Sequence, residues 1–174
     1  MPGIHHVFAR GNDQRRIFRT DADREDYLAI LERVIERLRW RCLTYCLMDN
    51  HIHLLVEIGE ASLGAGMQRL HGLYAANFNQ RHGRSGHLFQ GRYGSTLVRS
   101  DPQLWWTIAY IVHNPVQAGL CRSPDAWPWS SHRAVIEDAG PGWLDRTRLL
   151  ECFEDLGGAP RRRYRQLTAA AAPS

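Results

Sequence analysis

Two short stretches of this chain bring together side chains that could do chemistry. His51 and His53 stand two apart in His-Ile-His-Leu-Leu-Val-Glu-Ile, residues 51–58. On a strand, period two puts both imidazoles on one face, roughly 6.5–7 Å apart along the chain, where they can converge on one cation. Ile52, Leu54, Val56 and Ile58 then face the other way and supply an apolar back. Histidine is a poor residue to place twice on one strand face for packing. A His-x-His pair nevertheless also occurs as two packed side chains, and spacing alone leaves both readings open. Two protein ligands would leave coordination positions free for phosphate oxygens. Glu57 shares this face one pair further along and is the weaker candidate.

The second stretch is Leu104-Trp105-Trp106-Thr107-Ile108-Ala109-Tyr110-Ile111-Val112-His113-Asn114. At 100° per residue, Leu104, Ile108 and Ile111 form one stripe, and Trp106, Tyr110, His113 and Asn114 fall opposite. Tyr110 and Asn114 are an i, i+4 pair and so neighbours on a helix. A phenol and an amide oxygen there could act as nucleophile and third metal ligand. The same spacing also describes a half-buried tyrosine beside an asparagine at a helix end. Cys42, Cys46, Cys121 and Cys152 form no Cys-x-x-Cys pair and read as reduced thiols, so zinc held by cysteine is not expected. His5, His6, His71, His82, His87 and His132 fit no ligand spacing.

The elements that must position these groups follow from periodicity. Residues 3–10 read as a strand. Thr20-Asp21-Ala22-Asp23 starts a helix over about 21–39, with Leu28, Leu31, Ile35 and Leu38 on its buried stripe. Residues 41–48 and 51–58 read as a hairpin turning at Asp49-Asn50. Ser62 caps a helix marked by Leu63, Met67, Leu70 and Tyr74 that ends near Gly83. Residues 87–99 look extended. A third helix runs from about Pro102 to His113, where Pro115 should stop it. A short helix is expected over 145–156. The order predicts an α+β fold: a ferredoxin-like antiparallel sheet with helices packed on one face. One domain covers 1–156, and a basic, then alanine-rich tail over 157–174 is expected to be partly disordered.

The chain has 174 residues, 44% hydrophobic and 23% charged, which suits one globular domain with its own core. No apolar run reaches membrane-spanning length, so no membrane partner is expected. The N-terminus has no basic segment followed by an apolar stretch, which makes the cytoplasm the expected compartment. Net charge is +4, and all 22 basic residues are arginines. Guanidinium forks match phosphate geometry, so the charge leans weakly toward a nucleic-acid partner. Arg10, Asn12, Arg15 and Arg16 near the end of the first strand, and Arg84, Gln90, Arg92 and Tyr93 around the fourth, are candidate DNA contacts. The same residue types also make ordinary solvated surface. Trp105, Trp106, Trp127 and Trp129 read as packing residues before stacking ones. Tyr93 is the rival nucleophile, but has no metal-ligand partner one helical turn away.

With these residues in view, a family likeness emerges. Met48-Asp49-Asn50-His51-Ile52-His53-Leu54-Leu55 resembles the histidine–hydrophobe–histidine motif of the HUH single-strand nucleases. Tyr110-Ile111-Val112-His113-Asn114-Pro115-Val116-Gln117-Ala118-Gly119-Leu120 resembles the tyrosine motif of the REP-associated tyrosine transposases, a branch of the insertion-sequence-200-like transposases. Gly86-His87-Leu88-Phe89-Gln90-Gly91-Arg92-Tyr93 and Trp129-Ser130-Ser131 are similar to further segments of that branch. The likeness spans about residues 3–135, and four motifs in order are far more specific than any one.

The resemblance implies an HUH nuclease fold and a Mg²⁺ or Mn²⁺ ion. It implies a tyrosine that attacks single-stranded DNA, leaving a 5′-phosphotyrosine and a free 3′-hydroxyl. The substrates would be imperfect palindromes folded as REP-like hairpins, the place of action the nucleoid, and the working unit a monomer or a homodimer. Position by position, His51 and His53 match the metal ligands, Tyr110 the nucleophile and Asn114 the third ligand. Asp49 stands where proline is frequent, and Gln117 where a basic residue is usual, which weakens one expected phosphate contact. Two other function classes compete: a DNA-binding protein that has lost cleavage, and a small-molecule metallohydrolase.

Overall fold

A computed structural model describes residues 1–154 and 157–169. The elements are β1 (Gly3–Arg10), α1 (Asp21–Leu38), β2 (Arg41–Leu47), β3 (His51–Ile58), α2 (Leu63–Arg81), β4 (Gly94–Leu97), α3 (Asp101–Gln117), α4 (His132–Glu137), α5 (Arg146–Glu151) and α6 (Pro160–Ala169). The strands form one sheet in the order β2-β3-β1-β4, and every neighbouring pair is antiparallel. β3 lies between β1 and β2, the split βαβ arrangement expected from the element order.

Local signals account for most boundaries. Thr20 and Asp23 form a reciprocal capping box at the start of α1. The β2–β3 hairpin closes with the Met48 N–H donating to the His51 carbonyl at 2.9 Å. Ser62 and Ser100 cap α2 and α3 by accepting from Ala65 and Gln103 backbone N–H groups.

The sheet is covered on both faces, not one. Ile52, Leu54 and Val56 of β3 and Val7 of β1 join Tyr27, Ile30 and Leu31 of α1 and Leu70 and Tyr74 of α2 in a first core. Leu55 of β3 and Leu43 of β2 join Leu104, Ile108 and Ile111 of α3 with Tyr164 of α6 in a second. The single helical layer read from the sequence therefore holds for α1 and α2, while α3 packs on the histidine face. Alternation along β3 reveals an apolar back; only the tertiary fold reveals that Leu55, between His53 and Glu57, is also covered.

Three further expectations are corrected. α3 does not stop before Pro115 but includes it. Its end is set by Gly119 in the left-handed region, φ +70°, where the Leu120 N–H reaches the Pro115 carbonyl at 2.9 Å and the Gly119 N–H the Val116 carbonyl at 3.0 Å. This Schellman arrangement, not the proline, terminates the helix. Of the extended stretch 87–99 only Gly94–Leu97 is strand. Leu88 and Phe89 are buried instead, with Phe89 stacked on His71 of α2 at 4.1 Å between ring centroids. Finally, residues 160–169, read as tail, form α6, anchored by the fully buried Tyr164. The alanine-rich residues 170–174 and the last two residues of the expected helix 145–156 lie outside the described residues. No described helix is long and apolar enough to cross a membrane.

Candidate active site

β3 presents His51 and His53 toward α3, and α3 brings Tyr110 and Asn114 to them. The His51 Nε2 lies 2.8 Å from the Asn114 Oδ1. The ring centroids of His51 and His53 are 5.1 Å apart at 86°, and Tyr110 stands edge-on to His53 at 5.4 Å. The four side chains singled out in the sequence thus meet at one place, on the face opposite α1 and α2. Asn114 is buried and Tyr110 half-buried. His113, grouped with them on the helical wheel, instead points to the back of α3, where its Nε2–H donates to the Thr168 carbonyl of α6 at 2.9 Å.

The hydrogen bonds fix which histidine atoms are free. The Asn50 amide nitrogen donates to the Gln14 carbonyl at 3.1 Å, which aims the Asn50 Oδ1 at the His51 Nδ1, 2.7 Å away. A carbonyl oxygen only accepts, so the His51 proton belongs on Nδ1. That leaves the Nε2 lone pair directed at the Asn114 side-chain amide, 2.8 Å away. Similarly, the His53 Nδ1 lies 3.0 Å from the His6 Nε2, while the His53 Nε2 is buried with no hydrogen-bond partner among the described residues.

Burial keeps these imidazoles neutral. It lowers the His6 pKa to about 4, and it is the largest cause holding His53 well below the ordinary value, with the nearby His6, His51 and Arg10 adding to it. His51 is also lowered, by burial first and against its bond to Asn114. Neutral imidazoles with free lone pairs and an amide oxygen suit Mg²⁺ or Mn²⁺ better than a tetrahedral zinc set. Among the described residues no group of three or more His, Cys, Asp or Glu is arranged to hold a metal; Asn114 is outside those residue types. Glu57 is spoken for, accepting from Arg148 at 2.9 and 3.1 Å.

The candidate DNA contacts fall in several places. Arg10 is exposed and paired in register with His51. Arg16 reaches Asp49 at 3.4 Å, and Arg15 reaches Asp13 at 3.8 Å. The Gln90 N–H donates to the Arg10 carbonyl and the Asn12 N–H to the Leu88 carbonyl, both at 2.9 Å. Asn12, Gln90, Arg92 and Tyr93 line a groove against α2. Arg84 lies over the Phe78 ring at 5.8 Å. Tyr93 packs against the α1–α2 core, on the other side of the sheet from Tyr110 and the histidine pair.

Two residues at the site escaped the sequence reading. Asn50 was visible only as a turn former. His6 fits no ligand spacing, although the alternation Ile4-His6-Phe8-Arg10 against His5-Val7-Ala9 already separates it from the core face. Its partner became legible only with the register that places Phe8 opposite His53.

Comparison with known proteins agrees with this fold. A sequence model of the IS200-like transposases matches residues 3–114. A Haemophilus influenzae protein described as a REP-associated tyrosine transposase is 28% identical over 161 residues, covering 85% of this chain and 84% of that protein. A solved REP-associated tyrosine transposase bound to a REP hairpin shares the fold, with a TM-score of 0.66 at 17% identity over 80% of this chain and 83% of that one.

Proposed function

The chain belongs to the IS200-like transposase family, and we propose that it acts as a metal-dependent single-strand DNA endonuclease and strand transferase with Tyr110 as nucleophile. The observation that carries this reading is the convergence of the His51 Nε2 and the Asn114 side-chain amide, 2.8 Å apart, beside a tyrosine on the same helix as the asparagine. The His53 Nε2, buried with no hydrogen-bond partner among the described residues, is a further atom such an ion would use.

In this reading His51, His53 and Asn114 hold a Mg²⁺ or Mn²⁺ ion, which would withdraw charge from the phosphate and so ease attack on it. Asn50 and His6 hold the two imidazoles in the tautomers that keep their Nε2 lone pairs free. The Tyr110 hydroxyl loses its proton and attacks phosphorus. The bond from phosphorus to the 3′ oxygen breaks, and that oxygen takes up a proton to leave as a 3′-hydroxyl. The 5′-phosphate stays esterified to Tyr110. Because one phosphodiester has replaced another, a 3′-hydroxyl can reverse the step without a nucleotide energy source. Arg10, beside His51, is the candidate nearest the phosphate; Asn12, Arg15, Arg16, Arg84, Gln90, Arg92 and Tyr93 are proposed contacts further along the strand.

The substrate we propose is single-stranded DNA folded as an imperfect, REP-like hairpin, by analogy with the solved relative and its hairpin. All four reacting and ligating side chains come from one chain, which supports a site complete without a partner copy. Acting on DNA, the protein would work in the cytoplasm at the nucleoid. The test is a labelled hairpin oligonucleotide with single-stranded flanks. Cleavage should need Mn²⁺ or Mg²⁺ and disappear with a chelator or in His51→Ala. Full cleavage by a His51→Ala, His53→Ala double variant in chelator would overturn the proposal.

A further inference from the structure

Two large aromatic side chains stay at the surface on either side of this site. Trp106 is 46% exposed and Phe8 41% exposed. Trp106 stacks on Tyr110 with ring centroids 5.2 Å apart and planes within 5°, so its exposed area lies on the face and edge away from the tyrosine. Phe8 is on the histidine face of β1, 5.5 Å from His6 and 6.5 Å from His53 between ring centroids. It lies across β4 at Gly94, where a Cβ would meet the Phe8 ring at 2.3 Å. Glycine there is what lets the ring rest against the strand. The rings form a path Phe8, His6, Tyr110, Trp106, with successive centroid distances of 5.5, 6.0 and 5.2 Å. Its two ends are open to solvent and Tyr110 lies between them.

We infer that Trp106 and Phe8 are stacking platforms for the two unpaired nucleobases that flank the phosphate attacked by Tyr110. The inference rests on the assignment of Tyr110 as nucleophile. An exposed ring leaves apolar surface in water, which is unfavourable unless something covers it. Every nucleobase has a π face to do so, whatever its sequence. Arg10 supplies a cationic group beside the same histidines, matching a phosphate-bearing strand and not an apolar protein face. Holding the base on each side fixes the intervening phosphate before the tyrosine. It also demands unpaired nucleotides there, because bases within a duplex stack on one another and cannot cover two protein rings. Trp106 and Phe8 would thereby select single-stranded DNA at the point of cleavage.

The experiment reads binding without chemistry. Tyr110→Phe keeps a ring for Trp106 to stack on, and a chelator removes divalent ions. In this background 2-aminopurine is scanned through the single-stranded flank of a hairpin oligonucleotide. Its fluorescence should be quenched at two adjacent positions. Trp106→Ala should relieve one and Phe8→Ala the other, each weakening binding about tenfold, with helicity unchanged by circular dichroism and Trp106→Phe recovering most of the loss. An abasic nucleotide at the affected position should make the matching substitution nearly silent, since the partner ring then has nothing to cover. A structural role would weaken intact and abasic DNA alike. Additive losses, unrelieved quenching, or a change of oligomeric state in Trp106→Ala, which would make the ring an interface between copies, would each overturn the inference. Failure of the Tyr110 assignment shows separately, as the absence of a covalent adduct in the unsubstituted protein.

Discussion

Replacing Asn50 by alanine should weaken divalent-cation binding without unfolding the protein. The Asn50 Oδ1 accepts from the His51 Nδ1–H at 2.7 Å, and the Asn50 amide nitrogen itself donates to the Gln14 carbonyl. Without it, the imidazole can move its proton to Nε2 and donate to the Asn114 Oδ1 at 2.8 Å. That hydrogen bond joins the two atoms that would otherwise hold the cation. It would have to be broken before metal enters, at a net cost of about 1 kcal/mol, and ring orientation is lost as well. Together these predict a fall in affinity of about 10- to 100-fold, the usual effect of removing a group that orients a metal-binding histidine. The assay is titration with Mn²⁺, read by calorimetry or by the loss of the free-ion paramagnetic signal. Asn50→Asp keeps an acceptor and should bind at least as tightly as the unsubstituted protein. Asn50 is only half-buried, so the unfolding midpoint of Asn50→Ala should move little. Equal Mn²⁺ affinity in Asn50→Ala and the unsubstituted protein would refute the tautomer argument, because the proton on His51 would then be set by something other than Asn50.

Two stability predictions come from outside the site. The Arg24 guanidinium is buried, paired closely with Asp49 and more loosely with Asp21 at 3.9 Å, and lies 5.3 Å from the Phe18 ring, 5.7 Å from Trp127 and 5.5 Å from Trp129; Asp49→Ala removes its close partner and should cost about 3 kcal/mol in denaturant unfolding, whereas a loss below about 0.5 kcal/mol would show that Asp21 and the rings satisfy the cation. Burial lowers the His71 pKa from 6.5 to about 4, so on acidification the unfolded chain takes up the proton first. His71 therefore leaves stability intact above about pH 6.5 and withdraws up to about 3 kcal/mol as pH falls to about 4. His71→Phe should flatten stability against pH across that window, and an unchanged slope would count against the burial.

What the sequence makes legible is what repeats locally. The alternation of β3, the capping box of α1 and the i, i+4 pair on α3 each depend on a few adjacent residues, and each appears where it was expected. That the histidine pair shares one strand face, and Tyr110 and Asn114 one helix face, is readable for that reason. His6 was not, because its role depends on β1 lying beside β3 in a register no local pattern encodes. Asn50 was hidden by its fitness as a turn residue. The second covered face is not legible because the apolar stripe Leu104, Ile108 and Ile111 says that α3 packs on the sheet but not on which face, and the lone Leu55 among polar neighbours gives no local signal of burial. Pro115 does not end α3, because a proline near a helix end need not end it when a glycine four residues later supplies the cap.

The central claim is that Tyr110 becomes covalently joined to DNA. The protein is incubated with a hairpin oligonucleotide and Mn²⁺, the adduct is digested with protease, and the phosphotyrosyl peptide is located by mass spectrometry. The predicted result is a nucleotide on the peptide containing Tyr110, absent from Tyr110→Phe and retained in Tyr93→Phe. A nucleotide on a peptide containing Tyr93, or adduct persisting in Tyr110→Phe, would contradict the account.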